Sequence, residues 1–373
     1  MTYSKQNSKK INEKIQIDLD IIKKYLINRI QNIEAIILVG SFGRGEGSVL
    51  VVNDHIFSIN DYDLVIITKT HNNINLNTLR IDLARTLKIR LVDISSYSLN
   101  DLSKIKHSMF SYDLKYASKI IYGNFKILDL IPNMKPENMP LIEGIRPLLL
   151  FLSSLLHAFT VNRQLDDNQL FWNCQQISKS ILGLSTAMLI FDKKYHPSYE
   201  ERHKLFVENF KDVEFNNLVS WATKFKLEPN IKHLKSNKDY IFFWKNINSI
   251  YLKIFKKYFE TFYNKEFDNW KSLIFSYKYD RINLLKLAYS FFFNDPYYRD
   301  SISINIAQLL LCIILNDSNN VENWNMFRKE YNKISNIKKI KKPYKLNDVI
   351  DNILDRDPNA SIFKMNSKYS KIF

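Results

Sequence analysis

Glycine is scarce in this 373-residue chain, and its distribution is uneven. Only 7 glycines occur, and four of them, Gly40, Gly43, Gly45 and Gly47, fall within one eight-residue stretch. Glycine is needed where the backbone turns sharply or approaches a ligand closely. A chain that otherwise avoids glycine is therefore expected to form a special loop here.

Cysteine and long apolar runs are also scarce. The two cysteines, Cys174 and Cys312, lie in apolar segments without metal-ligating or redox-active neighbours, so we expect buried free thiols in a reducing compartment. The N-terminal residues are polar and lack the apolar core of a signal peptide. The longest apolar run, residues 148–161, contains polar residues and is too short to span a bilayer. These features predict a cytoplasmic protein without a membrane span.

Acidic residues are outnumbered by basic ones. The chain has 38 Asp and Glu and 54 Lys and Arg, which gives a formal net charge of +16. A basic excess favours acidic partners such as nucleoside triphosphates, nucleic acid, phosphorylated lipids or anionic glycans. Solvated lysines with no dedicated partner are an equally good interpretation in this Ile/Asn/Lys-rich background. Charge alone leaves the partner open.

Residues 1–135 alternate helical and strand patterns. Apolar spacing predicts helices over residues 15–30 and 76–87, strands over 35–39, 62–68 and 89–95, and a short element at Ile120 and Ile121. This part is expected to form a small mixed sheet with helices.

Residues 136–373 have helical periodicity and few strand signals. The periodic segments are 141–162, 167–192, 199–226, 238–263, 267–293 and 300–315. The predicted fold class is therefore α+β, a small mixed-sheet core followed by an all-α domain. The basic tail from residue 334 is expected to be solvated, with nucleic-acid contact as the alternative.

The glycine-rich loop directly follows the predicted strand 35–39. At Gly40-Ser41 the chain passes from strand to helix, a turn that presents N–H groups and a hydroxyl to an anion. Arg44 adds a positive charge that can fork onto phosphate oxygens. The loop lacks the lysine of a P-loop and the third glycine of a dinucleotide fingerprint, and no kinase HRD or DFG motif follows it. It predicts phosphate binding without specifying the reaction.

Two aspartates, Asp61 and Asp63, stand at the start of the next strand. Side chains two apart in a strand share a face, so these carboxylates converge while Tyr62 points away. Close carboxylates repel one another unless a cation lies between them, and Mg²⁺ prefers such oxygen ligands. A solvated pair at a strand edge is the alternative.

A third acid, Asp93, interrupts the apolar strand predicted over residues 89–95. A carboxylate in an apolar strand is costly unless it is paired or ligated. It either completes a three-carboxylate metal site on the neighbouring strand or is satisfied locally by backbone or by Arg90.

Together, Gly40-Ser41, Asp61-Tyr62-Asp63 and Asp93 resemble the signature of the DNA polymerase β-like nucleotidyltransferase superfamily. The loop sequence Gly-Ser-Phe-Gly-Arg-Gly-Glu-Gly-Ser is similar to that of the minimal nucleotidyltransferase branch of this superfamily. The resemblance covers roughly residues 30–125. One departure is the longer spacing from Ser41 to Asp61, where residues 49–59 form an extra piece, expected to be a short hairpin or loop near the site.

The resemblance implies a Mg²⁺-dependent transfer of a nucleoside monophosphate from an NTP to a hydroxyl acceptor, with pyrophosphate leaving. Gly40 and Ser41 would hold the triphosphate, and Asp61 and Asp63 would bind one or two Mg²⁺. Asp93 would assist the second metal and act as general base. Arg44 would contact phosphate or pack structurally.

The resemblance also implies a nucleotidyltransferase core at residues 1–135 and a helical domain at 136–373 that closes the cleft over nucleotide and acceptor. Lys179 would reach the triphosphate from that domain, or else lie on a helix surface. The acceptor is open: a small molecule, a glycan or lipid intermediate, a protein or RNA. The alternatives are an RNA- or tRNA-directed transferase, and an inactive nucleotide-binding regulatory module.

Overall fold

A computed structural model describes residues 2–6, 8–52, 55–70, 75–159, 166–229, 237–281, 283, 297–317 and 321–332. By contacts the described chain divides into two compact units. Of the described residues, the first unit contains those up to Glu143 and 189–229, and the second contains those of Gly144–Met188 and of 237–332. The α+β class is confirmed, with a small mixed sheet and mostly helices.

The first unit is built on a four-stranded sheet. Its strands are β1 (Ile33–Val39), β4 (Tyr62–Thr68), β5 (Val92–Ser98) and β6 (Lys119–Gly123), in the order β5-β4-β1-β6. Only β4 and β5 run parallel; β1 is antiparallel to both of its neighbours. A separate hairpin of β2 (Val49–Val52) and β3 (His55–Ser58) occupies the extra piece between loop and aspartates.

Helices cover both faces of the sheet. They are α1 (Lys9–Ile27), α2 (Gly40–Arg44), α3 (Leu76–Leu87), α4 (Leu99–Leu102) and α5 (Met109–Tyr116). On one face Leu38, Leu64 and Ile66 pack against α1 and α3. On the other face Val39 and Val65 pack with α4 and α5. Because alternate strand residues point to opposite faces, both sets of apolar side chains are buried.

Two later helices, α8 (Tyr199–Asn209) and α9 (Val213–Leu227), belong to the first unit. This division differs from the predicted one, which assigned everything after residue 135 to a separate helical domain. The physical reason is a set of buried polar contacts between these helices and the glycine-rich loop, described below. The periodic pattern over residues 199–226 predicted a single helix. The structure has two helices, because the chain breaks at Phe210–Asp212, where the Asp212 side chain caps α9.

The second unit is helical in its described parts. It contains most of α6 (Ile142–His157) and α7 (Asp167–Phe191), followed by α10 (Asn237–Tyr263), α11 (Trp270–Lys278), α12 (Tyr297–Asn316) and α13 (Val321–Tyr331). Both cysteines are buried free thiols, as predicted. No helix in the described ranges is long and apolar enough to cross a membrane. The basic tail from residue 334 lies outside the described residues.

The strand predicted over residues 89–95 begins later, at Val92. Lys88 ends α3 in the left-handed conformation (φ 52°), and the Ile89 N–H donates to Ala84 O, 3.1 Å away. Ile89 therefore belongs to the helix end, where it packs against the core. The predicted strand 62–68 and helix 76–87 agree with β4 and α3.

Candidate functional site

Gly40 begins the glycine-rich loop with its backbone against the Asp63 carboxylate. Val39 and Asp63 are register partners in β1 and β4, and Gly40 has a φ of +63°. A Cβ at Gly40 would lie 2.0 Å from Asp63 Oδ2. Glycine is required here for two reasons, the positive φ and the close approach of the carboxylate.

We expect Gly40→Ala to destabilise the protein more than Gly45→Ala. Both positions have a positive φ, which costs a non-glycine residue roughly 1–2 kcal/mol. At Gly45 the nearest atom to an added Cβ is Thr2 O at 3.1 Å, so only Gly40→Ala must also displace a carboxylate. Urea unfolding of the two variants measures the difference, and equal losses would contradict the packing of Gly40 on Asp63.

Asp63 and Asp93 lie on the neighbouring strands β4 and β5, Asp61 directly precedes β4, and the charges of Asp61 and Asp93 both act on Asp63. Asp63 lies on the same face as Val65, whereas Tyr62 points to the other face and donates to Asp18 Oδ2 at 2.8 Å. Asp93 is the register partner of Asp63 on the parallel strand β5. Neighbouring strands are about 4.8 Å apart, so the two side chains start from adjacent positions.

The Asp63 carboxyl group has an unusual environment. Burial is the main cause that raises its pKa, and the charges of Asp61 and Asp93 raise it further, to about 7. The positive charges of Arg44 and Lys226 oppose this shift only in part. The three acids therefore form a mutually repelling cluster, which is the electrostatic condition that a divalent cation relieves.

Asp93 differs from the other two acids. Its side chain is 57% exposed, and its Oδ1 pairs with Arg80 Nη2 at 3.1 Å. The sequence offered Arg90 as a local partner for Asp93; the charge of Arg90 interacts with Asp61. Among the residues that the structure describes, no three His, Cys, Asp or Glu side chains are arranged to hold a metal ion.

Lys226 of α9 reaches the acidic cluster, and the sequence did not single it out. The residue is 4% exposed, and its Nζ donates to Asn60 Oδ1 at 2.9 Å. Its charge interacts with Asp63 and Asp61. Burial, and then the nearby Arg44, lower its pKa to about 7, while Asp63 and Asp61 act in the opposite direction. A buried ammonium thus lies beside the aspartates.

Arg44 is engaged by two carboxylates. Its Nη1 donates to Asp113 Oδ2 at 3.1 Å, and its Nε lies 3.7 Å from Glu46 Oε2. Asp113 also accepts from the Tyr195 hydroxyl at 2.7 Å. The Arg44 side chain is 9% exposed. These contacts favour the packing role foreseen for Arg44 over a phosphate contact.

Glu46 joins the glycine-rich loop to the start of α8. Its carboxylate accepts from Ser198 Oγ at 2.7 Å, from Tyr199 N at 2.9 Å and from Glu200 N at 3.2 Å. A carboxylate is well suited to the free N–H groups and positive dipole at a helix N-terminus. Glu46 is 1% exposed, so this is a buried connection that fixes α8 on the loop.

The hairpin of residues 49–58 and the segments next to it hold α9 in a similar way. Ser48 Oγ donates to the Lys226 backbone carbonyl, and the Ser48 N–H donates to Asn60 Oδ1 at 2.7 Å. The hairpin predicted for the extra piece is confirmed. Its flanking residues Ser48 and Asn60 position Lys226.

A cavity of about 290 Å³ opens beside the acids. Its lining includes Asp63 and Asp93, and opposite them the residues Met109 and Phe110 at the start of α5. Ser41, predicted to bind nucleotide, lies in the first turn of α2 and is buried. Lys179, predicted to reach the triphosphate, is a half-buried residue of α7 in the second unit.

The missed residues, Glu46 and Lys226, carried weak signals. Glu46 stands inside the glycine-rich stretch, where a buried acid has to have a partner. The partner is distant in sequence by 152 to 154 residues, so no local pattern identifies it. Lys226 lies among several lysines of one helical segment, and the sequence alone does not distinguish it. A comparison with models of known protein families and with curated proteins gave no match.

Proposed function

We propose that this chain is a metal-dependent nucleotidyltransferase that moves a nucleoside monophosphate from an NTP to a hydroxyl acceptor. The observation that carries the proposal is the position of Asp63 on β4, against Gly40 of the glycine-rich loop, with Asp61 just before that strand and Asp93 in register with Asp63 on β5. Acids at the start of a strand, next to a phosphate-binding turn, are the arrangement that phosphoryl-transfer chemistry needs.

The proposed reaction needs a divalent cation, although the described acids are not arranged as a ready group of three around one. Asp61 and Asp63 would hold it, since their mutual repulsion raises the Asp63 pKa and a cation would relieve it. Asp93 would join them once its ion pair with Arg80 opens. When bound, Mg²⁺ supplies charge neutralisation for the phosphate oxygens.

Lys226 is the cation that we assign to the triphosphate in place of Arg44. It has a single protein acceptor, Asn60, among its hydrogen bonds described above, and its ammonium can donate three. The aromatic ring of Tyr199 lies 5.4 Å from its Nζ and helps to hold it near the acids. Gly40 and Ser41 would contribute backbone and hydroxyl donors on the other side of the loop.

In the proposed reaction an acceptor oxygen forms a bond to the α-phosphorus, and the bond from that phosphorus to the β-phosphate oxygen breaks. Pyrophosphate carries away the electron pair. The acceptor hydroxyl proton passes to the Asp93 carboxylate, which is exposed and able to release it to water. The protein contributes mainly by positioning the reactants and neutralising their charge.

The test is incubation of the protein with Mg²⁺, a cell extract and each α-labelled NTP in turn. We expect one or more NTPs to label an acceptor fraction and to release unlabelled pyrophosphate. Asp61→Asn should lower the rate by on the order of 10³-fold. Labelling that continues at the wild-type rate with Asp61→Asn would sink the assignment.

Lys226→Met in the same assay separates phosphate binding from metal binding. We expect weaker binding of the NTP by roughly tenfold or more, because a charge-assisted contact is lost. If the chain is instead an inactive nucleotide-binding regulatory module, the wild type should bind the NTP without transferring its NMP to any acceptor. Calorimetry with Mg²⁺ and NTP measures the affinity in both proteins.

A further inference from the structure

We infer that the cavity between the acids and α5 binds the acceptor, and that this acceptor is a small molecule with a flat or apolar part rather than a nucleic acid. The inference rests on the proposed function. The cavity contacts Asp63 and Asp93, so a bound molecule reaches the reacting centre. Of the residues assigned to the triphosphate, Gly40 lines the cavity, and Ser41 and Lys226 do not.

The wall opposite the acids is apolar and aromatic. Met109, Phe110 and Leu114 of α5 form it, and Phe110 is 40% exposed. The Phe110 ring stacks on the Tyr97 ring with centroids 6.2 Å apart, and this contact restricts the orientation of the Phe110 ring. An exposed ring that is held in place offers a face on which a planar or apolar group can pack.

The polar lining favours hydrogen-bond donors over phosphates. Asp63, Asp93 and Asp113 contribute three carboxylates, and the one positive side chain, Arg44, is already paired with Asp113. Proteins bind nucleic-acid strands through grooves lined with Lys and Arg. Beyond the NTP phosphates that Mg²⁺ would bridge, the phosphates of a nucleic-acid strand would meet no Lys or Arg of this lining except the paired Arg44, whereas hydroxyl and amine groups would find acceptors.

The size of the cavity agrees with this class of acceptor. Its volume of about 290 Å³ is just below the range of small-molecule sites, about 300–1,000 Å³, so it suits only a small acceptor. Ser95 adds a hydroxyl on the β5 side. A molecule of one or two rings would fill this space, with its reacting hydroxyl next to Asp93 and its flat part on Phe110.

Phe110→Ala tests the inference, with Phe125→Ala as the matched control. Phe125 is 76% exposed and does not line the cavity, so both variants remove an exposed ring. The assay supplies Mg²⁺, the α-labelled NTP and either the low-mass filtrate of a cell extract, its total RNA or its protein fraction. In the absence of any acceptor, the slow transfer of NMP to water measures the nucleotide site separately from the acceptor site.

We expect label in the low-mass fraction. Phe110→Ala should need about tenfold more filtrate for half-maximal rate at unchanged NTP affinity, and Phe125→Ala should match the wild type in both and in water-directed release. Label in RNA or protein would overturn the acceptor class. Weaker NTP binding in Phe110→Ala would overturn the assignment of the cavity to the acceptor. A wild type that neither binds Mg-NTP nor releases NMP would refute the proposed function itself.

Discussion

Asp63→Asn should abolish nucleotidyl transfer and, at pH 8 without divalent ions, make the protein more stable than the wild type. Activity is expected to fall on the order of 10³-fold because a metal ligand is lost. Stability is expected to rise because the amide removes a charge that burial and the neighbouring acids disfavour. A residue with a purely structural role would show the opposite change in stability.

The sign follows from the pKa. The folded protein holds the Asp63 proton up to about pH 7, whereas an ordinary Asp releases it near 3.8. Ionisation of Asp63 therefore costs the folded state stability as pH rises from about 4 to about 7, and the cost is complete above that range. The difference in pKa corresponds to at most ~4 kcal/mol at pH 8, and the gain in Asp63→Asn should vanish near pH 4.

Urea unfolding at pH 4 and pH 8, with and without Mg²⁺, measures the effect. Mg²⁺ should raise the unfolding midpoint of the wild type and leave that of Asp63→Asn unchanged, because only the former retains the full ligand set. Asp129→Asn, at an exposed position in the same unit, is the matched control. A loss of stability at pH 8 in Asp63→Asn would count against the acidic cluster.

Glu46→Ala should be the most destabilising single change in the first unit that leaves the acids intact. It removes the acceptor of three hydrogen bonds from the start of α8 and one of the two carboxylates beside the buried Arg44. Removing one member of a buried pair costs about 3–5 kcal/mol, since the partner stays behind uncompensated. The free energy of unfolding in urea gives this value directly.

Two variants bracket that result. Glu46→Gln keeps the size and one acceptor oxygen, so it should lose less stability than Glu46→Ala. Glu201, in the first turn of α8, accepts instead from the neighbouring Lys204 Nζ at 2.7 Å, so Glu201→Ala should change stability by under about 1 kcal/mol. If Glu46→Ala and Glu201→Ala unfold alike, α8 is not held on the glycine-rich loop by Glu46.

Local patterns in the sequence determined the elements that carry the acids. Alternation predicted β4 and the common face of Asp61 and Asp63, and Gly40 was recognised as special because glycine is so rare elsewhere. The register that places Asp93 beside Asp63 also agrees with the strand order expected from the motif. The strand and the glycine depend on residues a few positions apart, whose geometry the backbone fixes, whereas Asp63 and Asp93 are far apart in sequence and meet through the pairing of β4 with β5.

The tertiary structure decided which cation lies beside the acids. Arg44, offered by the sequence, is paired with Asp113 and Glu46, and folding adds Lys226, whose charge also acts on Asp63 and Asp61. The reason is that α8 and α9 return to the sheet unit through buried contacts made across more than 150 residues. Charged groups become selective only when burial removes their water, and burial is a property of the whole fold.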